Sequence, residues 1–337
     1  MPPNGAQRMR DCHPQRGGGL RSFYRRVTLT SVTSPQVPAF GSSDIVFGLF
    51  AHPAGGISPT SERYMMVLNT STSVARLLYA TSGAWTTIRT FAATNPTPVV
   101  RQSFFTTYLS SGIRKVAFNL NLGSSDDGIW IVTGGGAPVK LTITGGTGPS
   151  GPITVHQARL VITDGSKIRW SDVGLETFPA ANNLDVEPSG LRPNNVIMVA
   201  FEPSDLLIGK EAGPLVLVQG DLSDPIVRAM DESNVVVAQV PAKGPGGVIF
   251  VAHRDGVYTS SGNATQKLSN PLGPTDFGLP TVFGSYTPSW IGNSVMTQGY
   301  LFTPSALLDT TTGAWFTSGQ EVGNFTAPLF VYDRGTV

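Results

Sequence analysis

The longest stretch of this chain without a glycine or proline runs only from Thr60 to Ser82, and it is rich in Thr and Ser. Elsewhere 39 glycines and 26 prolines cut the 337 residues into shorter pieces. A helical domain needs several unbroken stretches with apolar residues three and four apart, because Pro removes a backbone donor and Gly costs helix stability. The chain offers instead runs of about four to eight residues, heavy in Val, Ile, Thr, Phe, Tyr and Trp and bounded by turn residues. The expectation is an all-β fold of many short strands.

Composition narrows what such strands can build. With 40% hydrophobic and 13% charged residues, there is material for a sizeable core under a surface made largely of Ser, Thr, Gly, Asn and Gln. The length allows one large domain or two small ones. The single cysteine, Cys12, excludes an internal disulfide framework and a thiolate metal cage. No apolar run is long enough to span a bilayer. Met1 to Arg26 is polar and Arg-rich without an apolar core, which predicts synthesis in a cytoplasm without a secretory signal.

Charge divides the chain into two parts. Before Val27 there are six arginines against Asp11, whereas the whole chain carries a net charge of only +1. A basic arm is thus joined to a slightly acidic body, a pattern suited to a docking tail. The arm is assigned to residues 1–40, with a flexible break at Gly17–Gly19 and with Pro35 and Pro38 before the body. Arg21, Phe23, Tyr24, Arg25 and Arg26 are its candidate contact residues. A partner would meet them through acidic or phosphate groups and an apolar pocket. An ordered strand extension is the simpler alternative.

The body, residues 41–337, contains a loose repeat. Asp127-Gly128-Ile129-Trp130 leads to Val139-Lys140-Leu141-Thr142, and Asp255-Gly256-Val257-Tyr258 leads to Gln266-Lys267-Leu268-Ser269, 128 residues further on. That interval is three units of roughly 43 residues, a period typical of propeller blades. Weaker copies place anchors at Tyr79, Trp130, Trp170, Leu217, Tyr258 and Phe302. Six units of this kind predict a β-propeller, with seven blades as an alternative count and a pair of β-sandwiches as the competing architecture. Tyr79, Trp130, Trp170, Tyr258 and Phe302 are then structural anchors at blade interfaces. The segment Leu329–Tyr332 is a candidate for the strand that completes the first blade.

Signals for chemistry are sparse. His13, His52, His156 and His253 are scattered, and no two have metal-pair spacing. Nucleophile-elbow, phosphate-loop and dinucleotide motifs do not occur, so neither a catalytic residue nor a metal or cofactor is expected. Asp221-Leu222-Ser223-Asp224 and Asp231-Glu232 lack the spacing of a calcium loop and read as turn caps. Ser124-x-Asp126-x-Gly128, with Trp130 one place early, resembles the Asp box of sialidase-type propellers. In those families the box is a structural turn remote from catalysis.

The segment Ala158–Pro188, with Ile168-Arg169-Trp170-Ser171-Asp172 at its centre and Phe178-Pro179 and Asp185-Val186 after it, resembles propeller-type tail proteins of tailed bacteriophages. These include minor tail, tail nozzle and tail accessory proteins. The resemblance implies a structural virion component, made in the host cytoplasm and placed in the tail. Its implied partners are other tail proteins and further copies of itself in a symmetric assembly. A host-surface glycan is a further contact, and nucleic acid enters only through the arm. The alternative function is a carbohydrate-binding or glycan-hydrolysing propeller.

Overall fold

The computed structural model describes residues 9–10, 12–14, 20–22, 40–53, 61–81, 84–94, 103–146, 151–186, 195–201, 205–210, 215–231, 242–243, 249–253, 256–260, 265–267, 295–297, 300–302, 306–309 and 314–317. Every regular element among them is a strand. Three short strands precede the body: β1 (Met9–Arg10), β2 (Cys12–Pro14) and β3 (Leu20–Ser22).

Six four-stranded antiparallel meanders follow in chain order. Blade 1 comprises β4 (Asp44–Pro53), β5 (Ser61–Asn69), β6 (Val74–Ala80) and β7 (Thr86–Ala92). Blade 2 comprises β8 (Phe105–Ser110), β9 (Ile113–Leu120), β10 (Gly128–Val132) and β11 (Val139–Lys140). Blade 3 comprises β12 (Ile153–His156), β13 (Arg159–Asp164), β14 (Lys167–Trp170) and β15 (Asn183–Asp185). Blade 4 comprises β16 (Asn195–Phe201), β17 (Asp205–Lys210), β18 (Leu215–Gln219) and β19 (Ile226–Asp231). Blade 5 comprises β20 (Ala242–Lys243), β21 (Ile249–His253), β22 (Gly256–Ser260) and β23 (Thr265–Lys267). Blade 6 comprises β24 (Val295–Thr297), β25 (Tyr300–Phe302), β26 (Ala306–Asp309) and β27 (Ala314–Thr317).

The first strands of successive blades are neighbours: β4 lies beside β8, β8 beside β12, β12 beside β16, and β20 beside β24. First strands therefore form the inner rim and fourth strands the outer one. This is a six-bladed β-propeller. At the outer rim of blade 6 the ladder continues, because β1 pairs in parallel with β27 through Met9–Phe316 and Arg10–Thr317. The segment Leu329–Tyr332 lies outside the described residues.

Stacking supplies the core because middle strands bury both faces. In β5, Tyr64, Met66 and Leu68 turn toward blade 2 and, with Phe91 of blade 1, meet Val116, Phe118 and Trp130. Met65 and Val67 face the opposite side of blade 1 with Leu78. Ile129 and Ile131 continue into the core between blades 2 and 3 with Ile153, Leu160, Ile162 and Phe178. Val161, Ile168 and Trp170 meet Leu206, Ile208, Val216 and Val218 of blade 4. The strands therefore read as continuous apolar runs rather than strict alternations.

Local chemistry sets the turns. The long run free of glycine and proline bends at Asn69, whose Oδ1 accepts the N–H groups of Ser71 and Thr72 at 3.1 and 3.0 Å. Ser73 completes that bend with a φ of 54°. Gly48 lies at a register shift in β4, and a Cβ there would stand 2.7 Å from the Phe105 ring. Glycine thus lets the inner strands of blades 1 and 2 approach.

Candidate functional site

The aromatic anchors come first. Tyr79, Trp130, Trp170 and Tyr258 all fall on the third strand of their blade, and Phe302 falls on the second. In blade 6 the third strand is β26, which carries Leu307 and Leu308 in place of an aromatic. Trp130 and Trp170 are buried, but on opposite faces: Trp130 faces blade 1 and Trp170 faces blade 4. Their positions are therefore related by strand and not by face. Tyr79 is half-buried and packs into the core shared by blades 1 and 2. The side chains of Tyr258 and Phe302 lie outside the described residues.

Trp130 is fixed from several sides. Its Nε1 donates to the Asp126 carbonyl at 2.9 Å, Phe91 meets it edge-on at 5.1 Å, and the Arg89 guanidinium lies 4.3 Å from its ring centre. The turn before it is the Asp-box segment. Asp127 accepts the N–H groups of Leu122, Gly123 and Ser124 at 2.6, 2.8 and 3.3 Å. Asp126 reaches across to the Ala92 N–H of blade 1 at 2.9 Å. Both carboxylates are spent on backbone donors, which makes this segment a structural clamp between blades.

A phenol–carboxylate pair also sits between blades 1 and 2. Tyr64 donates to Glu62 Oε2 at 2.8 Å and is buried. Burial, with the Glu62 carboxylate beside it, pushes the Tyr64 phenol far above its usual range. Tyr79 stacks obliquely on it at 5.2 Å. Tyr64 is buried while Glu62 is half-buried, so the phenol anchors the pair in the core shared by blades 1 and 2.

Of the arm residues, Arg21 lies in β3, which pairs with β2 through His13. Phe23, Tyr24, Arg25 and Arg26 lie outside the described residues. Among the described residues no three His, Cys, Asp or Glu side chains group as a metal site. Asp221 accepts the Ser223 N–H and hydroxyl at 2.8 and 2.9 Å, as a turn cap does.

An open polar cleft of about 270 Å³ lies where blades 3 and 4 meet, and it went unnoticed in the sequence. Arg159, Trp170, Asn182, Asn183 and Ser223 are among its lining residues. They come from the start of β13, the end of β14, the segment entering β15 and the β18–β19 turn. Meander topology brings these to one end of the wheel, because first and third strands run in the same direction.

The cleft's edge is a strained hairpin. Gln157 and Ala158, between β12 and β13, have φ values of 50° and 56°, where two-residue hairpins ordinarily use Asn and Gly. Each such non-glycine residue costs about 1–2 kcal/mol, and strain of this kind persists where the surroundings fix it. Here Gln157 donates from Nε2 to the Gly220 carbonyl at 2.8 Å and accepts the Leu222 N–H at 3.2 Å. That double bond clips blade 3 to the blade 4 turn and places the next residue but one, Arg159, at the cleft.

Arg159 is half-buried, and among the described residues its buried Nε has no hydrogen-bond partner. By contrast Arg76 bonds Asp44, Arg89 bonds the Pro138 carbonyl, and Arg169 bonds Asp164. Nearby, Asp221 is held below the usual carboxylate range, first by the Ser223 N–H and hydroxyl and then by the charges of Arg159 and His156. No ion pair joins Asp221 to Arg159. The arrangement offers guanidinium donors, amide groups and an apolar wall to a small polar ligand.

Neither a protein-family profile nor any curated protein matches the sequence. Among solved structures, YCF48 from Cyanidioschyzon merolae is similar with a TM-score of 0.50 at 9% identity, over 86% of this chain and 89% of that one. A six-bladed propeller lectin from Aleuria aurantia has a TM-score of 0.43 at 10% identity, over 84% of this chain and 99% of the lectin. A fucose-specific lectin form from the same organism has a TM-score of 0.46 at 13% identity, over 84% and 99% of the two chains. At these identities the likeness to YCF48 supports the propeller fold and nothing finer.

Proposed function

We propose that this propeller acts by binding rather than by catalysis, and that its ligand is a carbohydrate held in the cleft between blades 3 and 4. The observation that carries the reading is Arg159, half-buried with its Nε unpartnered among the described residues, which lines the cleft together with Trp170 and two asparagines. Donors set beside an apolar wall suit a ring rich in hydroxyl groups. Among the described residues that line the cleft there is no Asp or Glu, so the lining offers donors and an apolar wall and no carboxylate for acid–base work. Saturation-transfer NMR against a glycan panel tests the reading. Binding that disappears in Asn182→Ala and Arg159→Gln supports it; binding unaffected by both places the ligand elsewhere.

A second reading, a structural component of a bacteriophage tail, is favoured by one feature of the fold. The basic arm joins the rim of the wheel through the β1–β27 pairing, so its remainder starts from an outer edge where neighbouring proteins can reach it. Deleting residues 1–26 and measuring incorporation into particles tests this. Unchanged incorporation would exclude the arm as the dock.

A further inference from the structure

The cleft also indicates the charge of its ligand, an inference that rests on the carbohydrate reading above. We propose that the ligand is an acidic saccharide whose carboxylate is held by Arg159. The guanidinium fork matches a carboxylate with two parallel N–H···O bonds, whereas hydroxyl groups accept only one well-aligned bond each. Among the described residues no carboxylate forms an ion pair with Arg159, and Asp221 acts on it only as a nearby charge. Asp221 already accepts from Ser223 twice, and Asp172 accepts from Asn182 Nδ2 at 3.3 Å. His156, on the adjacent strand end, adds to the positive field sensed at Asp221.

The strained Gln157–Ala158 turn gives the site its rigidity. A clip that bonds both Gly220 and Leu222 keeps the wall from blade 4 fixed relative to Arg159. Preorganised donors of this kind lose little entropy on binding. A carboxylate in the cleft takes charge-assisted bonds from the Arg159 guanidinium, which makes such bonding the main discriminator between acidic and neutral sugars.

The test uses the full chain and matched pairs: oligogalacturonate with its methyl ester, and N-acetylneuraminate with its methyl ester. Each pair differs in charge and hardly in shape. Calorimetric titration at low salt is expected to show one acid binding ~10-fold or more tightly than its ester. That preference should shrink as salt rises. Arg159→Gln is expected to abolish the preference, and Arg159→Lys to keep part of it. Acids and esters bound equally, or a preference that survives Arg159→Gln, would overturn the inference while leaving the carbohydrate reading standing. Failure of every acid and every neutral sugar to bind the native chain would overturn both.

Discussion

Trp130 offers a quantitative test of how blades 1 and 2 hold together. Truncating a buried aromatic to alanine costs about 3–5 kcal/mol, and Trp130 is 3% exposed. The alanine variant also forfeits the 2.9 Å bond from Nε1 to Asp126, about 0.5–1.5 kcal/mol, and the Arg89 contact at 4.3 Å, about 0.5–1 kcal/mol. Phenylalanine keeps a ring in the core and loses chiefly those last two contributions, so Trp130→Phe should cost about 1–2.5 kcal/mol. With unfolding entropy near 2.1 cal/mol/K per residue, a domain of ~300 residues shifts its Tm by roughly 1.5–2 °C per kcal/mol. Calorimetry should therefore show Tm lowered by ~6–15 °C in Trp130→Ala and by ~1.5–5 °C in Trp130→Phe. A fall under 2 °C for alanine, or equal damage from both, would refute the assignment of Trp130 to a packed interface with a used indole donor.

Three further outcomes are expected. Asp164 and Arg169 form a buried ion pair at 2.6 Å, so Asp164→Asn should cost about 3–5 kcal/mol, while a paired apolar replacement should cost less; urea melts compare the two. Gly135 has a φ of 72°, and a Cβ there would stand 2.4 Å from the Tyr79 ring. Gly135→Ala should therefore destabilise by about 2 kcal/mol or more, with partial rescue by Tyr79→Leu. Burial pushes the Glu176 carboxyl up, but bonds from Lys115 and Ser110 outweigh this and hold it below its usual range. A depressed folded-state value stabilises the protein above the unfolded carboxylate range and is lost as pH falls through the folded value. Glu176→Gln should thus flatten the acid side of the stability profile, below pH ~4.3, and leave the slope at neutral pH unchanged.

The fold was largely legible because its signals are local. Short apolar runs between turn residues identified the strands, and aromatics about 43 residues apart marked third strands in four of the blades. Phe302 falls on a second strand because the third strand of blade 6 carries leucines and no ring, as the third strand of blade 4 also does. The faces of Trp130 and Trp170 were not legible, since side chains alternate with period two and any one-residue offset between blades reverses the face. The bend at Asn69 was hidden among Ser and Thr, because an asparagine side chain can close a turn without glycine. The cleft escaped for a different reason. Arg159, Asn182 and Ser223 are separated by whole strands in the sequence, and Gln157-Ala158 does not look like a hairpin until its backbone is seen. Only stacking of blades 3 and 4 makes those residues neighbours.

The pairing of β1 with β27 has a consequence for biosynthesis. Met9 and Phe316 are separated by roughly 300 residues of sequence, a loop that must be closed before they can pair. At roughly 5–20 residues per second, β1 leaves the ribosome about 15–60 s before its partner strand exists. Closing so large a loop carries an entropic cost of about 5 kcal/mol by the logarithmic rule, far more than two residue pairs return. The docking of β1 must therefore follow the stacking of the blades, which brings the two ends together in advance. Throughout translation, the outer edge of blade 6 is the last acceptor to appear and the arm the first donor.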